Sequence, residues 1–216
     1  MILRHIQELL GGIYDVRLAH DVYDFLITER AQLPQRVSAS AADEELFIAE
    51  GRDAVGVSLY LDPQLLERLQ EADPLQHLHE GNVADYWTAL EGVSHFLYFA
   101  WNAAHDKPVS LLELEMQAEI DKYVASFALL RRQSPERFPV ELLQLLFART
   151  RIDSSLARGR ERMYHAASGY AERFCRQLQA SLRGSRAELG GEALAKLRRF
   201  YRLTDGGKVA HIERGS

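Results

Sequence analysis

The sequence predicts a mainly α protein of the α+β type: a helical bundle around one long antiparallel helix hairpin, with a small N-terminal β-hairpin annex. Three observations predict it. Two long apolar segments, Asn82–His105 and Leu111–Leu130, are separated by little more than Asp106-Lys107-Pro108, as in a tight connection between two packed helices. Helical periodicity recurs through most of the chain after Pro139. The clearest strand signal is Glu45–Leu61, two runs about a Gly51-Arg52-Asp53 turn, the second of which alternates with a period of two.

The elements follow in order. Ile2, Ile6, Leu9 and Leu10 stand at helical spacing, and Gly11-Gly12 is expected to end that helix. Residues 13–28 fit either a helix or a strand, and 31–43 is small, polar and Pro-containing, so it reads as a loop. In the hairpin, Val55, Val57, Leu59 and Leu61 share one face, and Gly56, Ser58 and Tyr60 the other. A lone hairpin is marginal, so a third strand or a covering helix is required. Asp62-Pro63 supplies an N-cap and a first-turn proline for a short helix through about Leu69.

Asn82 is the expected cap of the first hairpin helix, whose core positions are Val83, Tyr86, Leu90, Val93, Leu97 and Trp101. Ser110-Leu111-Leu112-Glu113 is a capping box that starts the second. Its apolar seam is Met116, Ile120, Tyr123, Phe127 and Leu130, and Ser134-Pro135 stops it. A short apolar helix over 139–148 follows. Asp153 then caps a long amphipathic helix to about Leu182, with Tyr164, Ala167, Ala171, Phe174 and Leu178 as its buried stripe. Gly184 and Gly190-Gly191 precede a basic helix from Ala193 to Leu203, and the Gly-rich end from Thr204 reads as a frayed tail. One domain over 1–216 is expected, with a small α+β portion over 1–75, a helical core over 82–203 and a flexible tail over 204–216.

A 47% hydrophobic and 26% charged composition is enough for a sizeable core and excludes a disordered chain. The net charge of −5 hides an asymmetry: residues 1–128 hold 8 basic and 22 acidic side chains, residues 129–216 hold 18 and 9. Complementary packing of the two halves, self-association, or an anion bound by the basic half each account for that split. The single Cys175 permits no intrachain disulfide, the N-terminus lacks the apolar run of a leader, and Phe96–Trp101 is far too short to span a bilayer. A cytoplasmic protein without membrane association is the expectation.

The residues suited to chemistry lie on the hairpin. Glu91 and His95 stand four apart on one helical face, and Tyr98 and Asn102 extend that stripe. Across a turn near position 108, residue i faces roughly 216 − i, which sets His95 level with Asp121 and within a turn of Glu119. Carboxylate and imidazole between packed helices build metal sites and general acid/base pairs. The catalytic candidates are therefore Glu91, His95, Glu119 and Asp121, and the metal-ligand candidates Glu91, His95 and Glu119. The alternative is that Glu91 and His95 satisfy each other as buried polar groups. Glu115 is a weaker candidate, and Glu119 and Lys122 read as a surface pair. No paired cysteines, His-Glu-x-x-His or second Glu/His copy accompanies the stripe.

Other patterns carry less. Glu161, His165, Ser168 and Glu172 contain the residue types of a triad, but no Gly-x-Ser-x-Gly turn precedes Ser168, so they read as a solvent face. Gly206-Gly207-Lys208 lacks the first glycine, the hydroxyl residue and the helix of a phosphate loop. Cys175 reads as a buried thiol despite its arginine neighbours. Arg158, Arg162, Arg198, Arg199 and Arg202 are the anion-binding candidates, with Tyr201 placed to stack a base. With no catalytic motif complete, the leading expectation is a protein-binding or regulatory module, with a protein partner or a second copy as its ligand. The alternatives are a metal-dependent or acid/base enzyme with its site between the helices of 82–130, and nucleic-acid or nucleotide binding through the C-terminal helices. No cofactor is specified by any motif.

Overall fold

The structure, a computed structural model, describes residues 2–33, 42–50, 55–148, 158–183 and 188–215. Helix α1 (Ile2–Tyr14) does not stop at Gly11-Gly12, as its glycines suggest, but runs through them. Two interior glycines cost a helix roughly 1 kcal/mol each. Burial of Ile13 and Tyr14 offsets this at roughly 1.5–3 kcal/mol per large apolar side chain. The helix ends at Asp15, in the left-handed region at φ 53°, where the Val16 amide donates back to the Gly11 carbonyl.

Distant arginines complete that terminus. Arg198 donates to the Gly12 and Ile13 carbonyls at 3.1 and 3.0 Å, and Arg202 to those of Tyr14 and Asp15 at 2.9 and 3.0 Å. Two guanidinium forks thus satisfy the last carbonyls of α1 and meet the negative end of its dipole. Part of the positive charge of the C-terminal half is consumed in this way. Replacing both Arg198 and Arg202 by Ala is expected to cost about 2–4 kcal/mol, the sum of several charge-assisted hydrogen bonds. Urea unfolding checks it; a double variant as stable as the parent removes the capping role.

Residues 13–28, which fit helix or strand equally, hold the end of α1, a 3₁₀ turn over Val22–Phe25 and strand β1 (Leu26–Ile27). The expected hairpin forms as β2 (Glu44–Glu50) antiparallel to β3 (Val55–Leu61), with Leu46 opposite Leu59. Its turn, 51–54, lies outside the described residues, as does 34–41 of the expected loop. The required support comes from both sources: β1 pairs parallel with β3, giving the order β1-β3-β2, and α3 (Val83–Ala103) covers the sheet. Tyr60, assigned to the outer face by alternation, is buried, because Arg30 lies over its ring at 4.8 Å and its hydroxyl donates to Asp62. At Gly92 of α3, a Cβ would stand 2.9 Å from Glu44 Cγ and from Leu59 Cδ1. The missing side chain lets the helix approach the sheet closely, with Glu44 at the contact.

Asp62 caps α2 (Pro63–Glu71) by accepting from the Gln64 amide. Asn82 does not cap α3 with its side chain. It instead ties the preceding loop together, donating to the Ala72 and His77 carbonyls and accepting from the His79 amide. All six expected core positions of α3 are buried. The turn to α4 (Leu111–Gln133) passes through Asp106 at φ 52°, with the Lys107 amide donating to the Asn102 carbonyl. The Ser110/Glu113 capping box is present.

Helix α4 lies between α3 and α6 (Arg158–Arg183), so nearly its whole circumference is buried, polar positions included. α5 (Leu142–Ala148) begins three residues later than its apolar pattern does, and Asp153, the expected cap of α6, lies outside the described residues. Ala167, Ala171, Phe174 and Leu178 are buried as expected, while Tyr164 is half-buried. The last segments are α7 (Gly191–Tyr201) and α8 (Asp205–Arg214). The stretch from Thr204 is thus a docked helix and not a frayed tail: Lys208 and Ile212 are fully buried, Asp205 accepts from Ser110 at 3.0 Å, and Gln177 donates to the Ile212 carbonyl at 2.9 Å. The fold is mainly α with a small β annex, and among the described residues no helix is long and apolar enough to cross a membrane.

Candidate metal centre

Buried α4 carries polar groups on two sides, and each side meets different partners. On the first side, Glu91 and His95 of α3 face Glu115 of α4. One oxygen from each carboxylate and one imidazole nitrogen lie within 4.8 Å of one another. Glu91 and His95 are one turn apart on α3, and Glu115 and Glu119 one turn apart on α4, so the two pairs match in register. Glu44 joins from β2, pressed there by the close approach at Gly92, with Oε1 3.5 Å from His95 Nδ1. His95 Nε2 points to Glu115 Oε2 at 3.9 Å, too far for a hydrogen bond. His95 is 6% exposed, and its Nε2 has no hydrogen-bond partner among the described residues; nor has Glu44 Oε1 or Glu119 Oε2.

Lys122 closes one end of the cluster. Its Nζ lies 2.6 Å from Glu91 Oε2 and 2.8 Å from Glu119 Oε1. The Glu119–Lys122 pair is therefore buried, not the surface pair its spacing suggests. Glu91, with 28% of its side chain exposed, is the most open member.

The electrostatics follow from crowding four carboxylates with two cations. Burial opposes the imidazolium of His95, but Glu44, Glu115 and Glu91 outweigh it and lift its pKa to about 9. Burial pushes Glu115 up to about 7, assisted by Glu91 and Glu44 against His95 and Lys122. Burial also raises Glu44 against the pull of His95. Glu91 goes the other way: burial opposes its ionisation, but Lys122 and His95 hold its carboxyl below the usual value. Lys122, flanked by Glu91 and Glu119, stays charged despite burial, with its pKa raised. Tyr164 of α6 stands at the rim, its hydroxyl pushed up by burial and by the charge of Glu115, Glu91 and Glu44.

On the second side of α4, Asp121 accepts from Tyr14, from Ser94 at 2.6 Å and from Gln117 at 2.9 Å. Lys208 donates to Gln117 Oε1 at 2.9 Å and sits 4.2 Å from the Tyr98 ring centroid. Tyr98 donates to Glu113, and Asn102 to the Tyr98 carbonyl. Asp121, Tyr98 and Asn102 are therefore not part of the Glu91–His95 stripe. The facing rule is right about level, since Ser94 meets Asp121, but each residue turns a helix by about 100°. Asp121 consequently points away from Glu119 to the opposite flank.

The chain matches no protein-family model, no curated protein and no solved structure. Its chemistry must be read from these residues alone.

Of the expected ligands, Glu91 and His95 fall in one group within 4.8 Å without pairing to each other, and Glu119 is joined to Glu91 through Lys122. Glu115 takes the place expected for Glu119, and its signal was present as the four-residue spacing to Glu119. Glu44 had no local signal, because only the sheet-to-helix contact brings it near. The anion-binding candidates disperse. Arg198 and Arg202 cap α1, Arg162 and Arg199 are exposed on different helices, and the Arg158 side chain lies outside the described residues. Tyr201 is buried and stacked on Tyr14 at 4.1 Å between centroids, so it presents no face to a base. Glu161 and His165 form an exposed pair at 4.0 Å, as a solvent face does. Cys175 is buried, with its thiol pushed up by burial.

Proposed function

We propose that this protein is a metal-dependent enzyme whose divalent ion is held by Glu91, His95 and Glu115. The observation that carries the reading is His95 Nε2, buried among carboxylates with no hydrogen-bond partner among the described residues. A polar nitrogen in that position costs about 1–3 kcal/mol unless something else engages it. With its pKa lifted to about 9, His95 carries a proton on each nitrogen at neutral pH, and a divalent ion would displace the one on Nε2 while Nδ1–H still faces Glu44, the carboxylate–histidine arrangement that fixes the tautomer of a ligating imidazole. One nitrogen with two or three carboxylate oxygens suits Zn²⁺, Fe²⁺ or Mn²⁺ better than soft, thiolate-seeking ions. Three protein ligands leave coordination positions for water and substrate, and the ion acts there as a Lewis acid. The open side at Glu91 provides the approach.

Equilibrium dialysis of the chelator-treated, untagged protein against Zn²⁺ and Mn²⁺ tests this. The parent is expected to hold one ion per chain. His95→Ala and Glu115→Gln are expected to weaken binding by more than the roughly 10–100-fold that loss of an outer partner of a ligand costs, while circular dichroism stays native. A parent without stoichiometric metal, or variants that bind as tightly, overturns the proposal. In the first case the split carboxylates, Glu91 lowered and Glu115 raised to about 7, favour metal-free acid/base chemistry at the same site.

The partner-binding expectation has no comparable support. The large apolar side chains exposed among the described residues are only Ile48, Leu111 and Val140, each on a different segment of the chain. Nucleic-acid or nucleotide binding is weakened likewise by the capping role of Arg198 and Arg202.

A further inference from the structure

We infer that the Lys122 ammonium fills the second cation position of a carboxylate cage, so that the site takes one metal ion and loss of Lys122 admits another. The inference rests on the metal-site reading above and narrows the chemistry it allows.

The cluster has two levels along the hairpin. At one, His95 faces Glu115, with Glu44 behind the imidazole. At the other, Glu91 faces Glu119, and the ammonium lies between them at 2.6 and 2.8 Å. Glu91 belongs to both levels, since it also contributes an oxygen to the group within 4.8 Å. A carboxylate shared between two positive positions is the arrangement of a bridging ligand in two-metal sites, whose ions stand about 3.5–4 Å apart. Glu119 retains Oε2, buried and without a hydrogen-bond partner among the described residues, as a further donor at that level.

Lys122 is suited to block the position permanently. It is 8% exposed, tethered to α4 and paired with two carboxylates, so a dissolved ion competes with a cation of very high effective concentration. The carboxylate excess calls for cations: Glu44, Glu91, Glu115 and Glu119 carry up to four negative charges, and one divalent ion with one ammonium reduces that excess to a single charge. The consequence for function is specific. A single ion supports polarisation of a carbonyl or activation of one water. It does not supply the symmetric clamp on entering and leaving oxygens that two ions give.

The test loads the full chain with excess Mn²⁺ after chelation, removes free ion, and reads metal content by elemental mass spectrometry and coupling by electron paramagnetic resonance. The parent is expected to hold one ion with the spectrum of isolated Mn²⁺. Lys122→Met is expected to hold two, spin-coupled, and Lys122→Met/Glu119→Gln to return to one. Two ions in the parent, or one in Lys122→Met, overturns the inference while leaving the metal site standing. No ion in the parent overturns the metal-site reading itself. Because the second ion replaces the missing positive charge, Lys122→Met must regain a native circular dichroism spectrum in saturating Mn²⁺, and a variant unfolded with and without metal also overturns the inference.

Discussion

Asp121→Ala is expected to lower stability by about 3–5 kcal/mol, the scale for breaking a buried charged network, and to leave metal binding unchanged. Asp121 accepts hydrogen bonds from Tyr14, Ser94 and Gln117 in the protein interior. Burial pushes its carboxyl up to about 6 against those three donors, so at pH 7 it is largely ionised and each bond is charge-assisted. Alanine leaves a phenol and a hydroxyl buried without their acceptor, at about 1–3 kcal/mol each, while the Gln117 amide keeps the Tyr14 hydroxyl as an acceptor at 3.1 Å. Asparagine keeps one acceptor oxygen and the volume, so Asp121→Asn is expected to cost markedly less. Urea denaturation gives the stabilities and dialysis against Zn²⁺ the metal content. The pairing of the two readouts matters, because Asp121 was a catalytic candidate on sequence grounds. If Asp121→Ala folds stably but loses the ion, the two sides of α4 are one site and the separation described here is wrong.

The second large effect is a pH dependence visible only when one of two opposing groups is removed. His95, raised to about 9 from 6.5, binds a proton in the folded protein that the unfolded chain releases. Its contribution is complete below pH 6.5 and lost as pH rises through 9. Lys208 has the opposite sign. Burial depresses it to about 7 from 10.5, against Glu113, Asp121 and Asp205, so between these values the unfolded chain binds the extra proton. Its cost is complete below pH 7 and is relieved as pH rises towards 10.5. Between pH 7 and 9 the two trends cancel, and the metal-free parent is expected to be nearly flat. Lys208→Met leaves a stability that falls with pH, and His95→Gln one that rises, each by at most roughly 1.4 kcal/mol per pH unit. Glu115 and Asp121, at about 7 and 6, complete their titration below the upper part of that window. Urea midpoints at pH 7, 8 and 9 in the presence of chelator, at constant m-value, decide it. Equal slopes for parent and Lys208→Met remove the buried amine from the account.

The same lysine shows where local pattern stops being informative. Gly206-Gly207-Lys208 has low helix propensity and lies near the chain end, and both features describe a tail. Yet Ile212 is fully buried and the buried Lys208 ammonium sits over the Tyr98 and Phe200 rings, and that burial, absent from any window of sequence, holds α8 in place. Gly11-Gly12 misleads for the same reason, since the arginines that hold the end of α1 lie more than 180 residues away.

The sequence by itself determined what depends on neighbours along the chain. Periodicity placed α3, α4 and α6; the Asp106 break and the Ser110 cap placed the turn between α3 and α4, and the Asp62 cap the start of α2; alternation placed β3 and with it the hairpin; and spacing put Glu91 and His95 on one face. These are properties of residues within about one helical turn, whose geometry the backbone imposes. Tertiary structure alone decided which carboxylates complete the cluster. Glu44 arrives because Gly92 lets a strand lie against a helix, Glu115 and not Asp121 faces His95 because helix rotation assigns them to different flanks, and Lys122 is buried because α3 and α6 close over α4. Each depends on the relative rotation and approach of elements distant in sequence, which packing fixes and local pattern does not encode.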